Sequence, residues 1–563
     1  MNFSRLTWFE RLLALFTSVR PGEGRAAFLL IAQIYLLLLA YYIIRPLREM
    51  LILTEGSPEI RAYATGAVAI TLVFLIPLYK LLFDRVDGNG ERTTMLRWVA
   101  LFFISNLLIL AFLIWIGIPV AVPFYIWVGV FNIMVVAQFW AFAADLFNIK
   151  TGQRLFVVIM VGAALGAITG SQIGGRLETV LGAPILLLLS AALLAGVIII
   201  SELAQRSVPA GSRSVSPQRP PQSVRSLSDL IGGFNVVARS RYLLVIALFI
   251  TLFRWIHSTG GYILSSFVTE HAAATVAGAV TIITEGEIIG RFYGNYFAWI
   301  SALQLIIQLF LVSRIFHWFG VRGAILVLPV VMIFNYGLIA MVPVFAVVRL
   351  LMILETSARH SIHGTTNHAL YLPVTREEKY VGKTTIDTFF YRFGDLMYAG
   401  MIFVTAQVLG FDVMPVVYIN VALALVLLWL GTVIGRRHQS EIRHNMTNLP
   451  PVVKSPLPDV YVPAGQMLVF SVPDQAIMDP DPGDTLNYQA TSTNDAPLPP
   501  WIRFDRHNQT FTVRPPEGEA GQVDIKLTAT DFEGLSVQAQ FRIEYGAEPV
   551  PRFIAAPEAS GPG

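Results

Sequence analysis

Several arginines lie inside or beside long apolar stretches, where a charged side chain is costly unless it faces a protein interior or a water-filled cavity. Arg45 and Arg48 occur in YYIIRPLREMLIL at helical spacing, so Arg45 shares a helix face with Arg48 or Glu49. Guanidinium groups on one face suit a carboxylate or a phosphate through bidentate hydrogen bonds. The alternative is a helix end whose charges reach the membrane surface, or a structural ion pair.

The second half of the apolar region carries a similar set of isolated charges. They are Arg254 and His257 in FRWIHS, Arg349, Glu355 and Arg359 in VVRLLMILETSARHS, and Arg392 with Asp395. Their cost in hydrocarbon places Arg349 and Glu355 in the interior rather than on the lipid face. The predicted substrate contacts are Arg45, Arg48, Arg254, Arg349 and Arg392, with Glu355 and Asp395 as proton or counter-charge carriers. The alternative is a set of internal ion pairs that hold helices in register.

Two loops between paired helices repeat one pattern, an acidic or polar break followed by cations. One is QFWAFAADLFNIKTGQRLF at 138–156 and the other is NHALYLPVTREEKYVGKTTID at 367–387. Equivalent loops in the two halves indicate a loose internal repeat, and their ion pairs would lock a gate. The predicted gate residues are Asp145, Lys150, Arg154, Glu377, Glu378, Lys379 and Lys383.

Enzyme motifs are absent from the sequence, which predicts that the protein is not an enzyme. GKTT at 382–385 imitates the end of a phosphate loop, but Glu377 stands where that loop needs glycine. The chain has no cysteine, which excludes disulfides and thiolate metal sites. His360, His363 and His368 lack a supporting carboxylate arrangement, so a metal there is not predicted.

Composition indicates a membrane protein. Hydrophobic residues make up 55% of the chain, charged residues only 14%, and the mean hydropathy is +0.62. The formal net charge of +3 is too small to favour nucleic acid as a partner. Membrane lipids are therefore the expected surroundings.

Apolar runs of about 20 residues divide the chain. Six of them form an N-terminal half at 1–201, a polar Ser-, Pro- and Arg-rich linker follows at 202–230, and six more form a second half at 231–445. The runs lie near 26–44, 62–83, 95–116, 122–146, 155–175, 181–201, 242–268, 293–316, 322–342, 344–371, 384–410 and 413–435. This predicts an all-α membrane unit of twelve transmembrane helices in the 6+6 major-facilitator arrangement.

Cations collect in the loops on one side of these spans, which the positive-inside rule makes cytoplasmic. The prediction is a multi-pass inner-membrane protein with its N-terminus and its C-terminal domain in the cytoplasm. Within the fifth span, Gly162, Gly166, Gly170 and Gly174 recur every four residues, which favours close helix packing.

Residues 446–546 change to alternating apolar residues between Gly, Pro and Asp turns, the pattern of an all-β sandwich. The last residues, 547–563, are predicted to be a disordered tail.

The motifs RPLREMLIL, FWAFAADLFNIKTGQRLF, FYGNYFAWISALQLIIQLFL and ALYLPVTREEKYVGKTTID, taken in order, resemble the bacterial and plastid ATP/ADP antiporter family. The resemblance implies a major-facilitator-like fold and exchange of anionic nucleotides. The chain departs from the family's pattern at Arg48 and Glu49, where Lys and Asp are usual, and at Asp395, where Lys is usual. The fourth helix also lacks the acidic residue usual before its Phe-Trp pair, since Tyr125 to Gln138 contains none. These departures favour a branch with another substrate.

The β-region, with MDPDPGDTLNYQA and LPPWIRFDRHNQTFTVRPPEGEAGQVDIKLTATDFEGLS, resembles dystroglycan-type cadherin-like domains, which are immunoglobulin-related sandwiches. The resemblance implies Trp501, Phe504 and Tyr488 in the core and a protein or glycan partner. The carboxylates that could hold calcium are Asp479, Asp481, Asp484 and Asp531.

The sequence thus predicts a secondary transporter for an organic anion, working by alternating access, and the resemblance implies nucleotide exchange as its specific form. Two alternatives stay open. A membrane-anchored scaffold, whose sandwich recruits a partner, predicts fully paired arginines and a filled centre. An exporter of lipids or glycan precursors predicts a lateral opening.

Overall fold

The computed structural model of the protein divides into a helical unit, which includes residues up to Leu372 and Glu377–Gln439, and a second unit, which includes Pro373–Arg376 and the chain from Ser440 onward and contains the β-strands. It describes residues 23–86, 94–147, 149–207, 227–279, 282–375, 377–445, 449–473, 476–481, 485–493, 496–506, 508–531 and 534–547. The predicted linker therefore lies mostly outside the described residues, and the predicted tail almost entirely so.

The first half of the helical unit consists of long apolar helices. They are α1 (Gly24–Thr54), α2 (Pro58–Val86), α3 (Thr94–Trp115), α4 (Ala121–Leu146) and α5 (Ile149–Ser207). Gly182 breaks α5 with φ 76° and ψ 161°, a backbone conformation that only glycine adopts without strain. The break divides α5 into two crossings, so this half has six.

The second half begins with the short α6 (Leu227–Arg239), followed by α7 (Arg241–Ala277), which Ser240 caps. Next come α8 (Glu285–Ile306), a π-helical turn, and α9 (Val312–Met341), which is broken at Gly320. A further crossing consists of α10 (Phe345–Ala358), the π-turn Arg359–His363 and α11 (Gly364–Leu370).

The next crossing contains several π-turns. It runs through Glu378–Gly382 (π), α12 (Lys383–Thr385), Ile386–Phe390 (π), α13 (Tyr391–Ile402) and Phe403–Val408 (π). The last crossing belongs to α14 (Val413–Asn445). Such π-turns occur frequently at functional sites.

Eight stretches of the described chain are long and apolar enough to cross a membrane. A glycine break divides each of two stretches, α5 and the stretch that contains α9, into two crossings. The segment of α10 and α11 and the segment of α12 and α13 supply two further crossings, so the total is the twelve predicted. Large side chains on the outer surface are exposed, among them Phe74 at 73% and Trp115 at 74%, as expected of groups that contact lipid. The predicted helical fold class is confirmed.

The glycine repeat of α5 packs against α1. A Cβ added at Gly162 would lie 2.7 Å from the carbonyl oxygen of Ile31, and one at Gly170 would lie 2.6 Å from that of Leu39. Neither distance leaves room for a side chain, so α1 and α5 approach backbone to backbone. The packing role predicted for these glycines is confirmed.

The two halves contact each other closely near the α1–α2 turn. A Cβ added at Gly175 on α5 would lie 2.6 Å from the Cα of Gly294 on α8, and the Gln172 side chain donates a hydrogen bond to Asn295 at 3.2 Å. Tyr262 on α7 donates to Glu59 on α2 at 2.9 Å. This end of the bundle is therefore held closed.

The β-unit consists of short strands in three sheets. The strands are β1 (Val452–Val453), β2 (Val460–Pro463), β3 (Leu468–Ser471), β4 (Ile477–Met478), β5 (Asn487–Ser492), β6 (Ile502–Asp505), β7 (Thr510–Val513), β8 (Gly521–Thr530) and β9 (Ser536–Gly546). Their order is β2-β9-β8-β5 in one sheet, β3-β7-β6 in a second and β1-β4 in a third, and only β2 and β9 run parallel.

Alternating side chains of these sheets form one core. Tyr488 and Phe511 are buried in it, and Trp501 and Phe504 pack against it, as predicted. The ring centroids of Phe504 and Phe511 are 4.5 Å apart, and those of Phe511 and Phe541 are 5.3 Å apart. The predicted sandwich is confirmed.

Candidate functional site

The first charged cluster surrounds Glu49 in the last two turns of α1. Its carboxylate is 1% exposed and forms salt bridges with Arg48 on the same helix and with Arg61 on α2, the latter at 2.6 Å. The Arg48 guanidinium also lies 4.4 Å from the ring centroid of Tyr125 on α4. Arg48, predicted to contact substrate, is thus paired with its neighbour and contacts α4, whereas Arg61 joins α2 to α1 through the same carboxylate.

Arg45 lies one turn earlier on α1 and contacts aromatic groups instead of a carboxylate. Its guanidinium carbon is 4.0 Å from the ring centroid of Phe297 on α8, and one amino group donates to Tyr42 at 3.0 Å. The Nε atom is buried without a hydrogen-bond partner. Among the described side chains, no carboxylate lies within salt-bridge distance of Arg45.

A second charged cluster surrounds Asp395 on α13. Arg254 on α7 donates to its Oδ1 at 2.7 Å, Ser258 donates to the same oxygen at 2.7 Å, and Arg392 lies 3.5 Å from Oδ2. Arg254 also donates to Tyr391 at 3.0 Å. Two guanidinium groups share one carboxylate here, so the cluster keeps a positive charge in excess.

Arg359 begins the π-turn after α10 and borders a cavity of about 270 Å³. Further lining residues are Phe253, His360, His363, Asn367, Asp387, Tyr391 and Arg392. The Arg359 guanidinium contacts His360, and its Nε is buried without a partner. Arg392 lines the same cavity, so two guanidinium groups border it.

Glu355 lies one turn before Arg359 and is 1% exposed, so it is interior as predicted. Tyr336 and Asn335 of α9 donate to its oxygens at 3.1 and 3.4 Å. A basic side chain near it is His257 of α7, whose Nδ1 lies 3.5 Å from Oε1. In the described part of the bundle, no arginine or lysine forms a salt bridge with Glu355.

Arg349 does not join these groups, and the prediction that it lies in the interior is wrong. The side chain is exposed, whereas Val348 and Glu355 on the same helix are buried. It stands in the second turn of α10, close enough to the helix end for its long side chain to reach the membrane surface.

The predicted gate is described only in part. Glu377 and Lys379 are exposed, Glu378 and Lys383 are half-buried, and Lys383 lies 3.3 Å from Asp387 one turn along its own helix. The side chains of Asp145, Lys150 and Arg154 lie outside the described part of the structure. The gate therefore stays a prediction.

The carboxylates predicted for calcium accept backbone hydrogen bonds in the described structure. Asp479 accepts from the amide of Asp481 at 2.8 Å, and Asp531 accepts from the amides of Gly534 and Leu535. Asp484 lies outside the described residues, and the described ones contain no group of three His, Asp or Glu side chains suited to a metal. Calcium binding stays a prediction.

Arg61, Arg359 and His257 were left out of the predicted site. Arg61 lies three residues after Pro58, so it resembles a cation at a helix end, and only the fold places it opposite Glu49. His257 and Arg359 belong to the isolated charges of the second half. Their helical spacing from Arg254 and Glu355 was the sequence signal that could have placed them in the site.

Comparisons with known proteins agree with this architecture. A region of 298 residues is 21% identical to ADP,ATP carrier protein 1 of Chlamydia pneumoniae, covering 47% of this chain and 56% of the carrier. The chain thus spans little more than half of that curated relative. Residues 450–546 match the family model described as a putative Ig domain.

Solved structures share the helical fold. A variant of the nucleoside transporter NupG matches with a TM-score of 0.53 and 13% identity, over 74% of this chain and 99% of that one. The peptide-family transporter PepTSo matches with a TM-score of 0.53 and 12% identity, over 74% and 98%. The chain is thus a multi-pass membrane protein of the major-facilitator fold, with similarity to an ADP,ATP carrier and a C-terminal immunoglobulin-like domain.

Proposed function

We infer that the protein is a secondary transporter that moves an organic anion across a membrane by alternating access. The observation that carries this proposal is that Arg45 and Arg359, on different halves, are half-buried side chains, each with a buried Nε that lacks a hydrogen-bond partner and with no carboxylate partner among the described residues. A guanidinium group at bilayer depth needs a counter-charge or water. A negatively charged guest held between the two halves supplies that counter-charge.

Nucleotide exchange is the specific form to test first. The relative from Chlamydia pneumoniae is named an ADP,ATP carrier, and arginine suits phosphate through its planar set of donors. Arg392 lines the same cavity and shares Asp395 with Arg254, so this cluster would respond to an anion by exchanging partners. In this proposal Asp395 balances the charge of the empty site.

The closed end of the bundle supports alternating access. Gln172 with Asn295 and Gly175 with Gly294 join the halves near the α1–α2 turn. An alternating cycle must separate these pairs while a gate at the other end closes. By the positive-inside rule this closed end faces away from the cytoplasm. The N-terminus is proposed to lie on the cytoplasmic side of a bacterial inner membrane.

The scaffold alternative predicted fully paired arginines and a filled centre. Arg45 and Arg359 lack carboxylate partners among the described residues, and Arg359 borders a cavity of about 270 Å³. These observations favour a carrier over a scaffold.

Transport is tested with full-length protein in proteoliposomes and labelled ATP, ADP, other nucleotides and other organic anions. We expect uptake of at least one class, and its loss in Arg45→Gln and Arg359→Gln. Arg349→Gln is the matched control, since it removes an exposed arginine from the same helix as Glu355 and should transport normally. Equal transport by Arg359→Gln and Arg349→Gln would contradict the proposed site.

Alternating access is tested with a Gln172→Cys, Asn295→Cys double variant. The natural chain has no cysteine, so the introduced pair gives the only disulfide. Cross-linking should stop transport and reduction should restore it, because the halves must separate there. Full transport by the cross-linked protein would exclude opening at this end.

A further inference from the structure

Glu355 differs from two other buried carboxylates of the helical bundle. Glu49 contacts two arginines and Asp395 contacts two others. Glu355 instead accepts hydrogen bonds from Tyr336 and Asn335, and the Nδ1 of His257 lies 3.5 Å from it. Burial without a guanidinium or ammonium partner disfavours an ionised carboxylate, which then holds a proton or shares one with a neighbour. Among its described neighbours, the His257 imidazole is the basic group close enough to share that proton.

The groups that face Glu355 come from every helix packed around it. His257 projects from α7, Tyr336 and Asn335 from α9, and Tyr296 from α8 hydrogen-bonds to Thr356 beside it at 3.2 Å. Arg359 lies on the next turn of the same helical segment. Among these groups, His257 is the basic side chain that lies within ion-pair distance of the Glu355 carboxylate, with its Nδ1 at 3.5 Å.

We propose that Glu355 and His257 form one proton-binding site and that a proton moves through the membrane together with the transported anion. The site itself rests on the geometry alone. Its coupling to an anion rests on the proposed transport function.

The protonated site has the proton on a Glu355 oxygen, with a neutral imidazole, or on His257 beside a carboxylate. Loss of that proton leaves a carboxylate and a neutral imidazole. His257 is 18% exposed whereas Glu355 is 1% exposed, so His257 is the member through which water exchanges the proton.

Arg359 supplies the link between proton and anion. When no anion is bound, its positive charge one turn from Glu355 disfavours a bound proton, since like charges repel. An anion at Arg359 cancels that charge and thereby favours proton binding. By reciprocity the bound proton increases the affinity for the anion to the same degree, which predicts movement of both in the same direction.

The site is tested by infrared spectroscopy of the full-length protein in lipid, without any substrate. We expect the carbonyl band of a protonated carboxylic acid that titrates with pH, disappears in Glu355→Gln and shifts its midpoint in His257→Gln. Glu287→Gln, which alters an exposed carboxylate, should leave the band unchanged. A folded Glu355→Gln protein that keeps the full band would overturn the site.

The coupling is tested in proteoliposomes that contain a pH-sensitive dye, with ADP and the other transported anions as probes. Addition of the anion should acidify the lumen, and this acidification should be lost in Glu355→Gln while exchange of labelled for unlabelled anion continues. Anion uptake without any pH change in the natural protein would overturn the coupling. Absence of uptake for every anion would contradict the proposed transport and the coupling, whereas the infrared result would still decide the site.

Discussion

Two sets of buried arginines in the helical bundle have different surroundings. Arg48 and Arg61 both contact Glu49, a carboxylate that is 1% exposed. Arg45 and Arg359 have aromatic and histidine neighbours, and each has a buried Nε without a partner. The difference teaches that burial of an arginine in a membrane helix does not by itself indicate a binding site, because a facing carboxylate converts the same residue into a structural contact.

The largest loss of stability is expected when the contacts of Arg48 and Arg61 with Glu49 are removed. Glu49→Gln leaves Arg48 and Arg61 buried without a counter-charge, which should destabilise the bundle by about 3–5 kcal/mol. Thermal unfolding of the purified protein in detergent measures the change. A Glu49→Gln protein as stable as the natural one would show that water, and not the carboxylate, neutralises the two arginines.

A smaller loss is expected at the second paired cluster. Arg254→Gln leaves Asp395 with Arg392 at 3.5 Å and Ser258 at 2.7 Å, so the carboxylate keeps partners. Loss of one charged hydrogen bond should cost about 1.5–3 kcal/mol. The same unfolding assay tests this, and a loss equal to that of Glu49→Gln would mean that Arg392 does not compensate.

Arg45 and Arg359, which have no described carboxylate partner, should contribute little to stability. Arg359→Gln removes a buried charge that has no described carboxylate partner, so stability should change by less than about 1 kcal/mol or should increase. Transport should nevertheless be lost. A strongly destabilised Arg359→Gln protein would place Arg359 with the structural arginines and remove the contrast.

The smallest change in stability is expected for an exposed ion pair, which serves as the reference for the other variants. Arg291 lies 2.9 Å from Glu287 one turn earlier on α8, with 57% and 26% of the side chains exposed. Glu287→Gln should change stability by no more than about 0.5 kcal/mol, because solvent screens such pairs. A larger change would indicate that the assay responds to surface charge in general.

Hydropathy predicted the membrane helices because each crossing needs about 20 apolar residues whatever its neighbours are. It placed the end of the first crossing near residue 44, whereas α1 continues to Thr54 and carries Arg45, Arg48 and Glu49 within the helix. The prediction stopped early because charged residues lower the local hydropathy, although burial against α2, α4 and α8 compensates for their cost.

The candidate site was predicted less well, and Arg349 shows why. Arg349 and Arg359 both occur in an apolar segment, and the sequence alone gave no reason to separate them. The fold exposes Arg349 and directs Arg359 to the cavity, since their helical segment buries only one of its faces and a π-turn begins at Arg359.

The sequence by itself determined that this chain crosses a membrane repeatedly, that α5 packs closely against another helix, and that a β-sandwich follows. Those properties depend on the local composition and spacing of residues, which hydrophobic burial and small side chains convert directly into structure. Only the tertiary structure decided which arginines are neutralised, because a salt bridge depends on groups from distant parts of the chain. The same holds for Glu355, whose partners on α7 and α9 are brought to it only by the folded bundle.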